Sequence, residues 1–441
     1  MSPVMKGWVV TFAGFGINLA LGVLYTWNVT ASALTRPLAS GGHHGWTAQQ
    51  AFWPYAFALI CFALAMVVAG RLQDRVGPRW IATAGGVFVG IGMIVASLSP
   101  MRLSGPHAFP LTMVAGFGVL AGTGIGFAYA AATPCAAKWF SPRRRGLVIG
   151  IVISGFGFSP LYSAPLSSLL LRVFGVAESF LFLGGLFFVV VTGLAQFLAD
   201  PPKGYVPPGS YAEHPLPNGP LPLAHEYAAT EMLATPAFTR LWLAFACSTC
   251  AGLGVIAALP RIATLQLGAA AAVGVAPLLT AVVAFGNGAG RLLAAAVSDY
   301  IGRPLALVAA FSLQAAFILT LRFASAPALL LPAALLVALA YGANLALLPA
   351  TTFDFFGTRH AGTDYGLVFT AWGAGGLLGT QVEALLFEHG LGLGPTSAQS
   401  LAFAIAVGLC AVAALLAYAL RPPHSVSHAH ERPNATHLGE A

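Results

Sequence analysis

The chain has 441 residues, of which 58% are hydrophobic and only 7% charged, with a mean hydropathy of +0.82. Soluble domains carry about 25% charge, so most of this surface cannot face water, and the solvent it meets must be lipid. The net charge of +7 does not point to nucleic acid, because the basic residues are scattered singly between apolar stretches, apart from Arg143, Arg144 and Arg145.

A membrane-crossing helix needs about 20 mostly apolar residues. In chain order the hydropathy pattern predicts spans at 8–30, 52–70, 80–99, 109–133, 146–171 and 179–199. A second set follows at 239–260, 274–297, 305–323, 327–350, 363–387 and 398–420. Only helices satisfy their own backbone polar groups in lipid, so all twelve are read as helices. The first stretch, after Met5-Lys6-Gly7, is too long for a signal-peptide core and is read as a retained helix. Cys61, Cys135, Cys247, Cys250 and Cys410 lie in or beside apolar stretches, which argues against a disulfide framework. The Cys247-Ser-Thr-Cys250 spacing reads as small residues at a helix contact.

The expected organisation is a six-helix bundle over 1–200, a cytoplasmic proline-rich linker over 201–238, a second six-helix bundle over 239–421, and a disordered cytoplasmic tail over 422–441. The linker carries Pro201, Pro202, Pro207, Pro208, Pro215, Pro217, Pro220 and Pro222, a composition of connectors rather than cores. The tail holds His424, His428, His430 and His437 and is read as disordered rather than as a metal site. Loop charge sets the orientation. With the N-terminus inside, inner segments hold fourteen Lys and Arg residues and outer loops hold five, Arg36, Arg102, Arg172, Arg261 and Arg322. Both termini are therefore expected in the cytoplasm, with the chain in the cell inner membrane.

The halves echo each other. After the second span comes Asp74-Arg75-Val-Gly77-Pro-Arg79; after the eighth comes Asp299-Tyr-Ile-Gly302-Arg303-Pro304. Lys138-Trp-Phe140-Ser-Pro-Arg-Arg-Arg-Gly146 is matched by Asp354-Phe-Phe356-Gly-Thr-Arg359-His-Ala-Gly362, and Gly150 and Gly157 keep the same offset to Gly366 and Gly373. Parallel six-helix repeats of this kind build carriers that rock one half against the other around a central site.

Asp74-Arg75-Val-Gly-Pro-Arg79 resembles the signature of the major facilitator superfamily between its second and third helices, and Gly155-Phe-Gly-Phe-Ser-Pro160 resembles its fifth-helix glycine motif. The segment 138–146, Gly286-Asn287-Gly-Ala-Gly-Arg291 and the run from Gly362 to Gly373 are similar to the oxalate–formate antiporter and monocarboxylate transporter branch. The resemblance covers nearly the whole chain. It implies the all-α major facilitator fold, with twelve transmembrane helices in two pseudo-symmetric six-helix bundles.

Arg291 is the key candidate. It lies in an apolar stretch eight residues before Asp299, at the cytoplasmic turn. That is about 12 Å inward, close to mid-depth of a core about 30 Å thick. A cation there is costly and usually faces a water-filled cavity, where its fork can take a carboxylate. Asn287, one turn earlier, shares its face and either bonds substrate or orients the guanidinium. The resemblance implies that the arginine at this place contacts the substrate carboxylate. Oxalate carriers carry a lysine where this sequence has Trp372. One fixed cation suits a monocarboxylate better than a dianion, whose second carboxylate would stay buried and unpaired.

The expected carrier therefore takes lactate, pyruvate or formate, by proton symport or anion exchange, as a monomer without cofactor, metal or nucleic acid. Tyr25, Tyr129, Tyr341, Phe369 and Trp372 are expected around the site, on helices that surround the centre of the resembled fold. Asp74, Arg75, Arg79, Asp299 and Arg303 are expected to make charge contacts and caps that hold the outward-open state and release on rocking. Animal monocarboxylate carriers place an Asp one turn before the matching arginine, where this chain has Asn287. Glu383 and Asp364 lie toward opposite ends of the eleventh span, and the coupling group stays open. An oxalate/formate-type dicarboxylate antiporter is the alternative within transport, and a drug-type exporter the next. A membrane enzyme is not expected, because no His, Cys, Asp and Glu cluster falls within the spans.

Overall fold

The structure, a computed structural model, describes residues 2–36, 44–99, 108–209, 226–388 and 394–423. The predicted tail histidines and the proline-rich stretch 210–225 lie outside the described residues. Twelve long helices appear in chain order: α1 Pro3–Thr35, α2 Ala48–Val76, α3 Pro78–Ser97, α4 Leu111–Ala137, α5 Pro142–Val173, α6 Val176–Ala195, α7 Pro236–Leu267, α8 Ala269–Ile301, α9 Arg303–Leu321, α10 Pro327–Phe356, α11 Ala361–Glu388 and α12 Pro395–Tyr418. Among the described residues, eleven are long and apolar enough to cross a membrane. The other, α11, is a 28-residue helix whose Gly, Thr and Trp content makes it less apolar. Large side chains such as Leu64, Val189, Leu293 and Leu415 are exposed on the outer faces, as lipid requires.

The helices overrun the predicted spans because their ends are capped outside the apolar core. Thr47 and Gln50 form a reciprocal capping box at α2, with Gln50 N–H to Thr47 Oγ1 at 3.2 Å and Thr47 N–H to Gln50 Oε1 at 2.8 Å. Thr235 Oγ1 accepts the Phe238 N–H at 3.1 Å and starts α7 inside the predicted linker. A five-residue helix, Ala229–Leu233, precedes it. At the other ends α2 stops at Gly77 (φ 91°) and α8 at Gly302 (φ 87°). This backbone region favours glycine. The next helix then starts at once, and that is the physical content of the Asp-to-Gly echo.

Two helices break within their spans. In α1 the residues Gly22–Thr26 form a 3₁₀ turn. A Cβ at Gly22 would lie 2.5 Å from the Phe156 carbonyl oxygen of α5, so this glycine permits α1 and α5 to touch. Helix α5 is interrupted at Ser159, ahead of Pro160. α5 lies along α8 and α2 along α11, and these two seams join the halves. Helices α1, α4, α7 and α10 pack around the same centre.

Candidate functional site

Arg291 lies on the α8 side of the α5–α8 seam and is 1% exposed. Its Nε donates to Asn287 Oδ1 at 2.8 Å, its Nη1 to the Ile153 carbonyl of α5 at 2.9 Å, and its Nη2 to the Tyr25 hydroxyl at 3.4 Å. The guanidinium carbon sits 5.7 Å from the Phe156 ring centroid. Among the described residues no carboxylate pairs with it. At least three of its five N–H groups thus meet neutral acceptors, and the Tyr129 hydroxyl also lies against the guanidinium. The buried charge is solvated by dipoles but not cancelled, so an arriving anion meets its full attraction.

The position exists because α8 is bordered by glycines. A Cβ at Gly157 would fall 2.7 Å from the Gly288 nitrogen and 2.8 Å from Asn287 Oδ1, and one at Gly342 would fall 2.1 Å from the Asn287 carbonyl oxygen. Asn287 is therefore held between α5 and α10, and its amide oxygen is aimed at the arginine.

A cavity of about 330 Å³ stands beside this pair. Its polar lining is Tyr25, Asn28, Tyr55, Thr264, Thr280, Asn287 and Tyr341; the rest is mostly aliphatic, such as Leu253 and Val283. The lining comes from the halves of α1, α2, α5, α7, α8 and α10 remote from the termini. Of the residues predicted from sequence, Tyr25, Asn287 and Tyr341 line the cavity, with Arg291 directly behind Asn287 and Tyr25.

Tyr129, Phe369 and Trp372 do not line the cavity but form an aromatic plug beneath it, with the Tyr129 hydroxyl against the Arg291 guanidinium. Trp372 stacks on Phe369 with centroids 5.0 Å apart and lies 5.1 Å from Phe62. Tyr129 meets Phe62, Phe156 and Phe369, each at 5.4 Å. The Trp372 indole N–H donates to the Tyr341 hydroxyl at 3.0 Å and links plug to cavity floor. Phe62 and Phe156 were not singled out in sequence, because a phenylalanine in an apolar span carries no local signal.

Below the plug, the end that bears the termini is sealed. Asp299 accepts the Gly146 and Leu147 N–H groups at the start of α5, at 3.0 and 2.9 Å. Asp74 accepts the Gly362 and Thr363 N–H groups at the start of α11, at 3.3 and 3.0 Å, and the Thr363 hydroxyl at 2.9 Å. Each half thus places a carboxylate on backbone N–H groups of a helix of the other, and at α11 these are the free N–H groups of the first turn, where the helix dipole favours an anion. Arg303 bridges Asp299 at 2.7 Å and Asp354 at 2.6 Å, and also donates to the Ser298 hydroxyl; Arg145 reaches Asp354 at 2.8 Å. Lys138 lies 3.3 Å from Asp200 and 4.0 Å from Asp74.

Arg75 and Arg79 are exposed and form no ion pair among the described residues. The expected charge contacts therefore involve Asp74, Asp299 and Arg303 but not these two, which point off the seam. Arg145 and Asp354 take their place. The signal for them was the 138–146 and 354–362 echo, in which Asp354 stands opposite Lys138. The Glu383 side chain lies outside the described residues.

Comparisons with known proteins identify the family and the fold. The family model of the Major Facilitator Superfamily matches residues 7–380, with a second match over 271–439. The chain is 27% identical over 374 residues to the uncharacterized MFS-type transporter YhjX of Escherichia coli (strain K12), covering 84% of this chain and 86% of that protein. It is 29% identical over 357 residues to the oxalate:formate antiporter of Oxalobacter formigenes, covering 80% and 76%. Over 181 residues it is 33% identical to human monocarboxylate transporter 11, covering 41% and 35%. The solved human organic anion transporter MFSD10 shares the fold, with a TM-score of 0.66 at 14% identity over 95% of this chain and all of that one. Helix order, seams and family match together make the chain a member of the Major Facilitator Superfamily, a multi-pass membrane transporter and not an enzyme.

Proposed function

We propose that the chain is a secondary carrier of small monocarboxylate anions, of the pyruvate, lactate or formate type, working by alternating access. One observation carries the reading. Arg291 is a buried cation with no acid partner among the described residues, one layer behind an open cavity where the two halves meet. An unpaired charge at that depth is expensive unless something anionic uses it. Arg291 would hold the carboxylate with its free N–H groups. Asn287 would orient the guanidinium, and the hydroxyls of Tyr25 and Tyr341 would donate to the anion. Tyr129, Phe369 and Trp372 would close the site from below. The similarity to proteins named for oxalate:formate exchange and monocarboxylate transport supports the anion class.

With both termini cytoplasmic, as the loop charges favour, the cavity faces outward and the Asp74 and Asp299 contacts form the inner gate. The expected setting is a monomer in the cell inner membrane. Proton symport and anion exchange both fit a neutral Asn287, and uptake under an imposed pH gradient in vesicles separates them. Counterflow in proteoliposomes with labelled pyruvate, lactate, formate and oxalate tests the substrate class. Saturable monocarboxylate counterflow is the expected result. Oxalate exchange without lactate, pyruvate or formate uptake would overturn it in favour of the dicarboxylate antiporter, the reading that the Oxalobacter relative favours.

A further inference from the structure

We propose that Asp364 is a proton-binding site of the gate at the terminal end, and that this gate closes on the protonated carboxyl and opens with its ionisation. The inference rests on the rocking of the halves, not on which anion is carried. Asp364 lies in the first turn of α11 and is 0% exposed. Neither carboxyl oxygen has a hydrogen-bond partner among the described residues. An acid early in a helix normally takes the free N–H groups there. Here Asp74 of the opposite half already holds those of Gly362 and Thr363.

The groups facing Asp364 supply no counter-charge. Asp74 from α2 and Glu226 from the segment before α7 are its charged neighbours, and both are acids. Lys138 is engaged by Asp200 and Asp74. On α10, Asp354 is held by Arg145 and Arg303. On α7, Arg240 donates to the Ala419 carbonyl. In the short helix, Glu231 accepts the Ala228 N–H. On the preceding turn Arg359 is exposed and His360 half-buried, and neither forms an ion pair with Asp364. Tyr129 of α4 lies in the plug, and α12 carries no charged residue. A metal ion does not fit, since the described residues hold no group of three or more His, Cys, Asp or Glu placed to bind one.

An ionised carboxylate buried without donors or cation is strongly disfavoured, whereas the neutral acid is tolerated. When the halves part at this end, Asp74 leaves α11, water reaches Asp364, and the proton departs to that compartment. Closing takes one back from the same compartment. The device therefore senses pH on that side rather than moving protons across. Because the closed state binds more protons, closing is favoured by acid and opposed as pH rises, with a limiting slope of about tenfold in the open-to-closed ratio per pH unit.

The test uses the full chain in lipid nanodiscs, with its cysteines replaced and spin labels at the exposed positions 71 and 359, which lie on opposite halves. Pulsed dipolar distances are recorded from acid to alkaline pH. The wild type should shift toward the longer distance with rising pH, approaching that slope, while Asp364→Asn and Asp364→Ala should stay closed at every pH. The proposal is overturned if either variant keeps the wild-type slope or if the wild type shows none. A single distance under all conditions would overturn the rocking itself as well. Absent monocarboxylate counterflow would remove the substrate reading and leave this result standing.

Discussion

Replacing Arg291 with Gln separates a binding arginine from a structural one. The guanidinium is 1% exposed and bonded to Asn287, Ile153 and Tyr25, with no acid beside it among the described residues. Burying such an ion costs several kcal/mol, and three hydrogen bonds from a charged donor return about 1.5–3 kcal/mol each. The two nearly cancel, so Arg291→Gln should change folding little and leaves no orphaned carboxylate. Substrate loses a charge-assisted fork instead, about 2–3 kcal/mol, or roughly 30–150-fold in affinity. Arg291→Lys keeps the charge without the planar fork and should lose about tenfold. Scintillation-proximity binding of labelled pyruvate to purified protein gives the affinities, and thermal unfolding in detergent gives the stability. The reasoning fails if Arg291→Gln binds within threefold of wild type. It fails equally if its unfolding midpoint drops by about 10 °C or more, the signature of a broken buried pair.

Four further outcomes follow from the same geometry. Asp74→Ala removes acceptors for two α11 N–H groups and one hydroxyl, so single-turnover uptake should slow more than equilibrium binding weakens; an unchanged rate with lost binding would contradict this. Asp354→Asn leaves Arg145 and Arg303 facing each other across a buried site, a loss of about 3–5 kcal/mol from the closed gate; alkylation of a cysteine placed at the buried Ser154 should rise, and equal labelling of both proteins would refute the role. Trp372→Ala removes the Tyr341 partner and the stack on Phe369, and should destabilise by about 3–5 kcal/mol in denaturant titration. Trp372→Lys, by contrast, should admit oxalate in counterflow, and its continued exclusion would discount Trp372 as the selector.

Much of the architecture was legible because lipid leaves few choices. Long apolar runs had to be helices, and the Asp-to-Gly turns after α2 and α8 marked the repeat through the glycine at positive φ. A charge at mid-span singled out Arg291, since no soluble-style background of charge surrounds it. Its partner Asn287 followed from one-turn spacing and is bonded to it at 2.8 Å. What stayed hidden depended on contacts between helices distant in sequence. No local pattern distinguishes Tyr341, which lines the cavity, from Tyr129, which lies in the plug, because each sits in an apolar helix whose rotation is set by its neighbours. Nor does sequence reveal that Arg75 and Arg79 are exposed while Arg145 and Asp354 close the gate. The chain alone determined that it spans lipid as two repeated helical halves with one cation at mid-span, because solvent and helix periodicity act locally. The tertiary structure alone decided which side chains reach that cation and that Asp364 is left unpartnered, because pairing across a seam depends on how the two halves dock.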